Sequence, residues 1–198
     1  MAMELTTAHL LFMNIGVRYW DAAVEGFTEE QQKQVGNYVQ NLEFHLRQGT
    51  GLFLWGNNSS GKTWISAALC KLVWGRYRMA SYCVPAAILE EAWRDFNTEV
   101  PADSEGIESM ARRVERVRFL VIDDLGKEHQ GGARFATSKF TNLLQLRSRS
   151  RKTTMVTANM DPQELGNVYG SSMGRLAKEC MIPIELSIED LRQHVLEG

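Results

Sequence analysis

Residues 51 to 74 read GLFLWGNNSSGKTWISAALCKLVW: an apolar run, a turn of small and polar residues, then a run with helical periodicity. The apolar run is short and suits a buried strand. In the turn, Gly56 and the Gly61-Lys62-Thr63 triplet enclose Asn57, Asn58, Ser59 and Ser60. Between a strand and a helix this is the pattern of a phosphate-binding loop. Glycine lets the backbone curl tightly and approach anionic oxygens, while the peptide N–H groups and the start of the helix point at the phosphates. Lys62 is then the contact to the β and γ oxygens, and the Thr63 hydroxyl the ligand for Mg²⁺. Taken alone, the stretch also reads as a glycine-rich turn with a surface lysine.

The second half of such a site is a stronger test, and RFLVIDDLG at 118–126 supplies it. A strand ending in adjacent acids puts Asp123 where it can hold the Mg²⁺ shell and Asp124 where it can orient an attacking water. Two carboxylates at a buried strand end are costly without a cation partner; the alternative is a pair that merely caps the following turn. A third part is TTMVTAN at 153–159, whose Asn159 would place an amide beside the γ-phosphate. Asparagine often ends strands as a turn residue, so Asn159 draws its weight from following the first two motifs in order.

Around these motifs, apolar runs alternate with helical patterns. Strands are expected at 51–56, 80–85, 119–124, 153–159 and 182–186, and helices at 62–77, 86–97, 107–117, 133–149 and 161–169, the last with Asp161 as N-cap and Pro162 at the first helical position. Strands separated by helices predict an α/β fold with a five-stranded parallel sheet covered on both faces. Ahead of them, 28–49 reads as one amphipathic helix with Val35, Tyr38, Val39, Leu42 and Leu46 on its apolar stripe, ending at Gly49. Residues 97–106, rich in Pro, Gly, Ser and acids, read as a surface loop.

Bulk properties narrow the class. A chain of 198 residues, 44% hydrophobic and 23% charged, suits one well-cored domain. FLVI at 119–122 and GLFLW at 51–55 fall far short of a membrane span, and the N-terminus lacks the basic start of a secretory signal, so a cytoplasmic protein away from membranes is expected. Cys70, Cys83 and Cys180 show no metal-ligand spacing and read as buried thiols. A net charge of -2 argues against a generally basic nucleic-acid coat, but two local basic stretches exist, RRVERVR at 112–118 and RSRSRK at 147–152.

In this order the motifs are familiar. From Tyr19 to Leu186 the chain resembles the AAA+ ATPases of the DnaC/IstB type, the bacterial and phage replicative-helicase loaders and transposition helper ATPases. RYWDAAVEGF (18–27) is similar to that family's lead-in segment, NYVQNL (37–42) to its following helix, FLVIDDLGKE (119–128) to its Asp-Asp-Leu-Gly Walker B, and TTMVTANM (153–160) to its sensor 1 strand. The resemblance implies a P-loop NTPase (AAA+) three-layer sandwich, hydrolysis of ATP with Mg²⁺, and self-association into a ring or spiral. By position it puts the arginine finger, which reaches the γ-phosphate held by a neighbouring subunit, on Arg175 in SSMGRLAKEC (171–180), within a helix before the last strand; a surface salt bridge is the plain alternative. Arg147, Arg149 and Arg151 are further candidates. It also implies single-stranded DNA held partly by helices between the second and third strands, where Arg112, Arg113 and Arg116 lie, although a solvated helix face is the default for such a run.

Departures from the family bear on partners. The loop interior is Asn-Asn-Ser-Ser where the family has Pro-Pro-Gly-Thr or similar, and Gly198 follows so soon after the last strand that no C-terminal helical lid is expected. Residues 1–17 are expected to form a short N-terminal extension, which either grips the partner as an amphipathic helix or leaves that work to another chain, with 18–198 as the ATPase domain. The resemblance thus implies loading of a replicative hexameric helicase onto single-stranded DNA, with delivery of a transposase as the alternative. A small P-loop kinase and a non-hydrolysing scaffold are the readings from other classes.

Overall fold

Five strands carry the molecule: β1 (Gly51–Trp55), β2 (Ser81–Pro85), β3 (Phe119–Leu125), β4 (Thr153–Ala158) and β5 (Met181–Glu185). The computed structural model describes residues 5–95, 110–126 and 133–186. The strands form one sheet in the order β2-β3-β4-β1-β5, every pair parallel, as the alternation of strands and helices predicts. β3 and β4 are almost wholly buried, which matches the apolar run of β3, while β4 buries three threonines. β5 lies at an edge and carries Pro183, whose missing N–H is tolerated there. At the opposite edge, β2 is covered by the N-terminal segment: Cys83 N donates to Met13 O at 2.9 Å, and Asn14 Nδ2 to Cys83 O at 2.7 Å. Edge coverage of this kind removes a row of open peptide groups.

The order matters for function. After β1 the chain crosses to the far edge, returns through β3 and β4, and then passes beyond β1 to β5. The carboxyl ends of β1, β4 and β3 therefore lie side by side, and those ends carry the phosphate loop, Asn159 and the acidic pair. Open parallel sheets bind ligands at such a switch in strand order.

Helices cover both faces. One layer comprises α1 (Thr7–Phe12), α2 (Glu29–Gln40), α3 (Leu42–Gln48) and α4 (Lys62–Tyr77), packed over Leu52, Leu54, Phe119, Val121 and Met155. The other comprises α5 (Ala86–Asp95), α6 (Met110–Arg116), α7 (Ala133–Arg149), α8 (Pro162–Tyr169) and α9 (Ser171–Cys180), packed over Phe53, Leu120, Ile122 and Val156. Successive strand residues thus serve opposite layers, as a pleated sheet requires. Asp161 caps α8 through bonds from Gln163 N and Glu164 N at 2.7 and 2.8 Å, with Pro162 in the first turn as expected.

One expectation needs adjustment. The helix expected over 28–49 is two helices, broken at Asn41, whose backbone leaves helical geometry and whose side chain donates back to Asn37 O at 2.9 Å. An asparagine amide offers its own backbone an alternative to the helical ladder. The predicted stripe survives the break, with Val35, Tyr38, Leu42 and Leu46 buried, Val39 half-buried and Gly49 in the left-handed conformation at the end. Within 1–17, Leu10, Met13 and Ile15 are buried in the core, while Leu11 and Phe12 face outward. The loop expected at 97–106 lies outside the described residues. No helix among the described residues is long and apolar enough to cross a membrane.

Candidate nucleotide-binding site

The loop after β1 is shaped by backbone conformations that few residues adopt. Gly56 has φ 140°, and a Cβ there would come within 2.4 Å of Leu186 O, a contact set by the Leu186 N to Trp55 O bond that joins the residue after β5 to the end of β1. Gly61 has φ 89° and opens α4. Between them Ser59 holds φ 66°, a left-handed conformation that disfavours any side chain. These turns bring the amino end of the 16-residue α4 against the loop, and with it the positive end of the helix dipole.

Lys62 begins α4 and is only 6% exposed. Its ammonium donates to Gly56 O at 2.9 Å, Asn57 O at 2.8 Å and Ser60 Oγ at 3.4 Å, so the charge sits inside the curl of its own loop. One residue on, Thr63 Oγ1 donates to Asp123 Oδ2 at 3.0 Å, which joins the two sequence motifs across 60 residues. Asp123 is buried at the end of β3.

Thr157, on the neighbouring strand, organises the acids. Its hydroxyl donates to Asp123 Oδ1 at 2.6 Å and accepts from Asp124 N at 2.8 Å. The pairing of β3 with β4 steps from Ile122 opposite Val156 to Leu125 opposite Ala158, so Asp123 and Asp124 together face the single residue Thr157. This is a β-bulge, and it puts Asp124 at φ 58°. A bulge re-aims side chains, and strain of this kind is held where the surroundings over-determine it. Adjacent residues of a regular strand point to opposite faces; the bulge releases both carboxylates from that rule. Thr157 was not singled out from the sequence, because a threonine within a strand carries no signal beyond β-propensity.

Asn159 follows β4, and its Nδ2 donates to Asn58 Oδ1 in the phosphate loop at 3.0 Å. Hydrogen bonds thus join Lys62 to Gly56, Asn57 and Ser60, Thr63 to Asp123, both acids to Thr157, and Asn58 to Asn159. The Thr63 hydroxyl beside the Asp123 carboxylate is a hard oxygen donor set suited to Mg²⁺, which takes one or two protein ligands and completes its shell with phosphates and water. Among the described residues no group of three or more His, Cys, Asp or Glu could hold a metal by itself. A cavity of about 450 Å³ adjoins the pair, lined by Thr63 and Asp123 together with Ile15, Val17 and Tyr19 of the N-terminal segment. Burial, with a smaller contribution from Asp123, pushes the Cys70 thiol up; burial, Cys70 and Asp123 do the same for Cys83, so both are neutral thiols.

The arginines separate by environment. Arg175 stands on the outer side of α9 with its side chain 66% exposed, paired with Glu179 one turn on at 3.4 Å. Arg147 cannot serve as an arginine finger: it is fully buried and donates to Val114 O, Val117 O, Thr153 O and Thr154 Oγ1 at 2.7 to 2.9 Å. It satisfies the open carbonyls at the end of α6, and Lys152 Nζ takes Glu115 O at 2.7 Å in the same way. Burial, with Arg118 nearby, pushes the Arg147 guanidinium down to about 9, which leaves it cationic at neutral pH. Arg149 and Arg151 are exposed. Of the basic stretch on α6, Arg113 stacks over the Phe12 and Tyr82 rings at 3.8 and 4.8 Å, whereas Arg112 and Arg116 are exposed.

With this geometry established, the solved structures are informative. The chain is similar to the DnaC helicase loader, with 18% identity and a TM-score of 0.71 over 86% of this chain and 99% of that one. DnaI aligns at 20% identity and TM-score 0.67, over 89% and 93% of the two chains. The fold is that of the DnaC-like AAA+ ATPases. The replication initiator DnaA bound to AMPPCP and single-stranded DNA shares the AAA+ fold at 17% identity and TM-score 0.66, covering 92% of this chain and 55% of that one. No protein-family model matches the chain, and no curated protein matches it. At these identities the likeness establishes a P-loop NTPase fold, and the chemistry rests on the residues described above.

Proposed function

We propose that the chain is a Mg²⁺-dependent ATPase that assembles with ATP into a ring or spiral, binds single-stranded DNA and loads a replicative hexameric helicase onto it. The observation that carries the ATPase reading is the Thr63–Asp123–Thr157 chain of hydrogen bonds beside the Lys62 loop. Those residue types at the ends of β1, β3 and β4 suit phosphoryl transfer from a nucleotide, where catalysis is chiefly positioning and charge stabilisation. ATP displaces the loop carbonyls from Lys62, whose ammonium then neutralises the β and γ oxygens. Thr63 and Asp123 would hold Mg²⁺, which would supply Lewis-acid stabilisation of phosphate charge. Asp124 orients the attacking water, Asn159 hydrogen-bonds the γ-phosphate, and Arg175 of one subunit reaches the nucleotide of the next.

The loader reading is supported by the likeness to the DnaC helicase loader, and the DNA reading by the likeness to a DnaA bound to single-stranded DNA. Arg112 and Arg116 are the proposed phosphate contacts on α6. The N-terminal segment supplies the partner contact, since Leu11 and Val17 are 63% and 70% exposed. The test is a pull-down from the native host with ATP, using the wild type and Lys62→Ala. Recovery of a replicative helicase by the wild type alone is expected. Recovery of a transposase would replace the loader reading with the transposition helper, and equal recovery of a helicase by Lys62→Ala would remove ATP from the mechanism.

A further inference from the structure

The asparagine inside the phosphate loop has a specific partner. Trp55, the last residue of β1, is in register with Ala158, the last of β4, so the loop and Asn159 leave the sheet side by side. The Asn159 Nδ2 to Asn58 Oδ1 bond at 3.0 Å joins them across 101 residues. Both side chains are exposed, where water competes for each amide. Their pairing is preset by the backbone, since Ser59 at φ 66° fixes the path of the loop next to Asn58.

A carboxamide carries two N–H donors and an acceptor oxygen, so one bond between the two amides does not exhaust either. A diphosphate in such a loop is held by backbone N–H groups and the lysine, whereas a third phosphate extends toward the metal-binding residues and the ends of the neighbouring strands. Asn159 is the amide at that end, and Asn58 is the group bonded to it. We propose that Asn58 is a positioning residue: it holds the Asn159 carboxamide at the mouth of the phosphate loop, and the pair distinguishes a nucleoside triphosphate from a diphosphate. The inference rests on reading the loop as a nucleotide site with Asn159 at the third phosphate.

The test is a double-mutant cycle of Asn58→Ala, Asn159→Ala and the double variant, titrated with AMPPCP and with ADP in the presence of Mg²⁺. Asn58→Ala is expected to weaken AMPPCP binding roughly threefold to tenfold while changing ADP binding by less than about twofold, the scale of one hydrogen bond. The double variant should bind AMPPCP no more weakly than Asn159→Ala, because Asn58 acts through Asn159. The inference is overturned if Asn58→Ala weakens both nucleotides equally, strengthens or spares AMPPCP binding, or multiplies with Asn159→Ala. A wild type that binds neither nucleotide overturns the reading of the loop itself, whereas wild-type binding with an additive cycle overturns only the role of Asn58.

Discussion

Thr157→Val isolates the residue that ties the acidic pair to the sheet. Valine keeps the shape of a side chain that is fully buried, so the change removes the hydroxyl and little else. It deletes the 2.6 Å donation to the Asp123 carboxylate and leaves Asp124 N without its 2.8 Å acceptor. A bond to a charged acceptor contributes about 1.5 to 3 kcal/mol, and a bond between uncharged groups about 0.5 to 1.5 kcal/mol. Because both involve one hydroxyl and the bulge can relax, a loss of about 2 to 4 kcal/mol in urea denaturation is expected. Asp123 also loses an orienting partner, leaving Thr63 to hold the other oxygen, and such losses around a metal ligand weaken metal affinity by about 10- to 100-fold. The Mg²⁺ concentration for half-maximal nucleotide binding should rise by that factor, while Thr157→Ser keeps the wild-type value. A Mg²⁺ dependence within about twofold of wild type in Thr157→Val would refute the argument that this hydroxyl orients the metal-binding carboxylate.

Other substitutions probe the remaining assignments. Asp124→Asn should still bind ATP but hydrolyse it about 10²- to 10⁴-fold more slowly, trapping the assembled state in sedimentation; normal phosphate release would remove Asp124 from the mechanism. Arg175→Ala should bind ATP without hydrolysing it, and mixing it with Lys62→Ala should restore part of the activity, because each chain supplies what the other lacks. No recovery on mixing counts against action between subunits. Arg147→Met strips the donors from four buried acceptors and should lower stability by about 3 to 5 kcal/mol in thermal or urea denaturation, with nucleotide affinity unchanged. A stable Arg147→Met that binds but cannot hydrolyse ATP would return Arg147 to the catalytic candidates.

Much of the candidate nucleotide site was legible along the chain because its chemistry is local. Gly56, Gly61, Lys62 and Thr63 sit in one turn whose spacing follows from the need to wrap a phosphate, and the acids end a strand where carboxylates need a cation. Short apolar runs and period-3.6 patterns likewise marked all five strands and the main helices. Less legible were features set by contacts between distant segments. Asn41 breaks a helix whose apolar stripe runs on unbroken, so periodicity alone did not reveal the break. Arg147, Arg149 and Arg151 look equivalent in RSRSRK, yet one is buried in carbonyls and two face outward. Arg113 looks like a member of a solvated basic face but packs on rings from Phe12 and Tyr82.

The sequence by itself determined the alternating architecture, the loop that can wrap phosphates and the identity of the acids, since each depends on neighbours within a few residues. Only the tertiary structure decided that β4 lies between β1 and β3, and that placement brings Thr157 beneath the acids and Asn159 against Asn58. The physical reason is that strand order and a bulge's register are set by packing across the whole sheet, which no local pattern encodes.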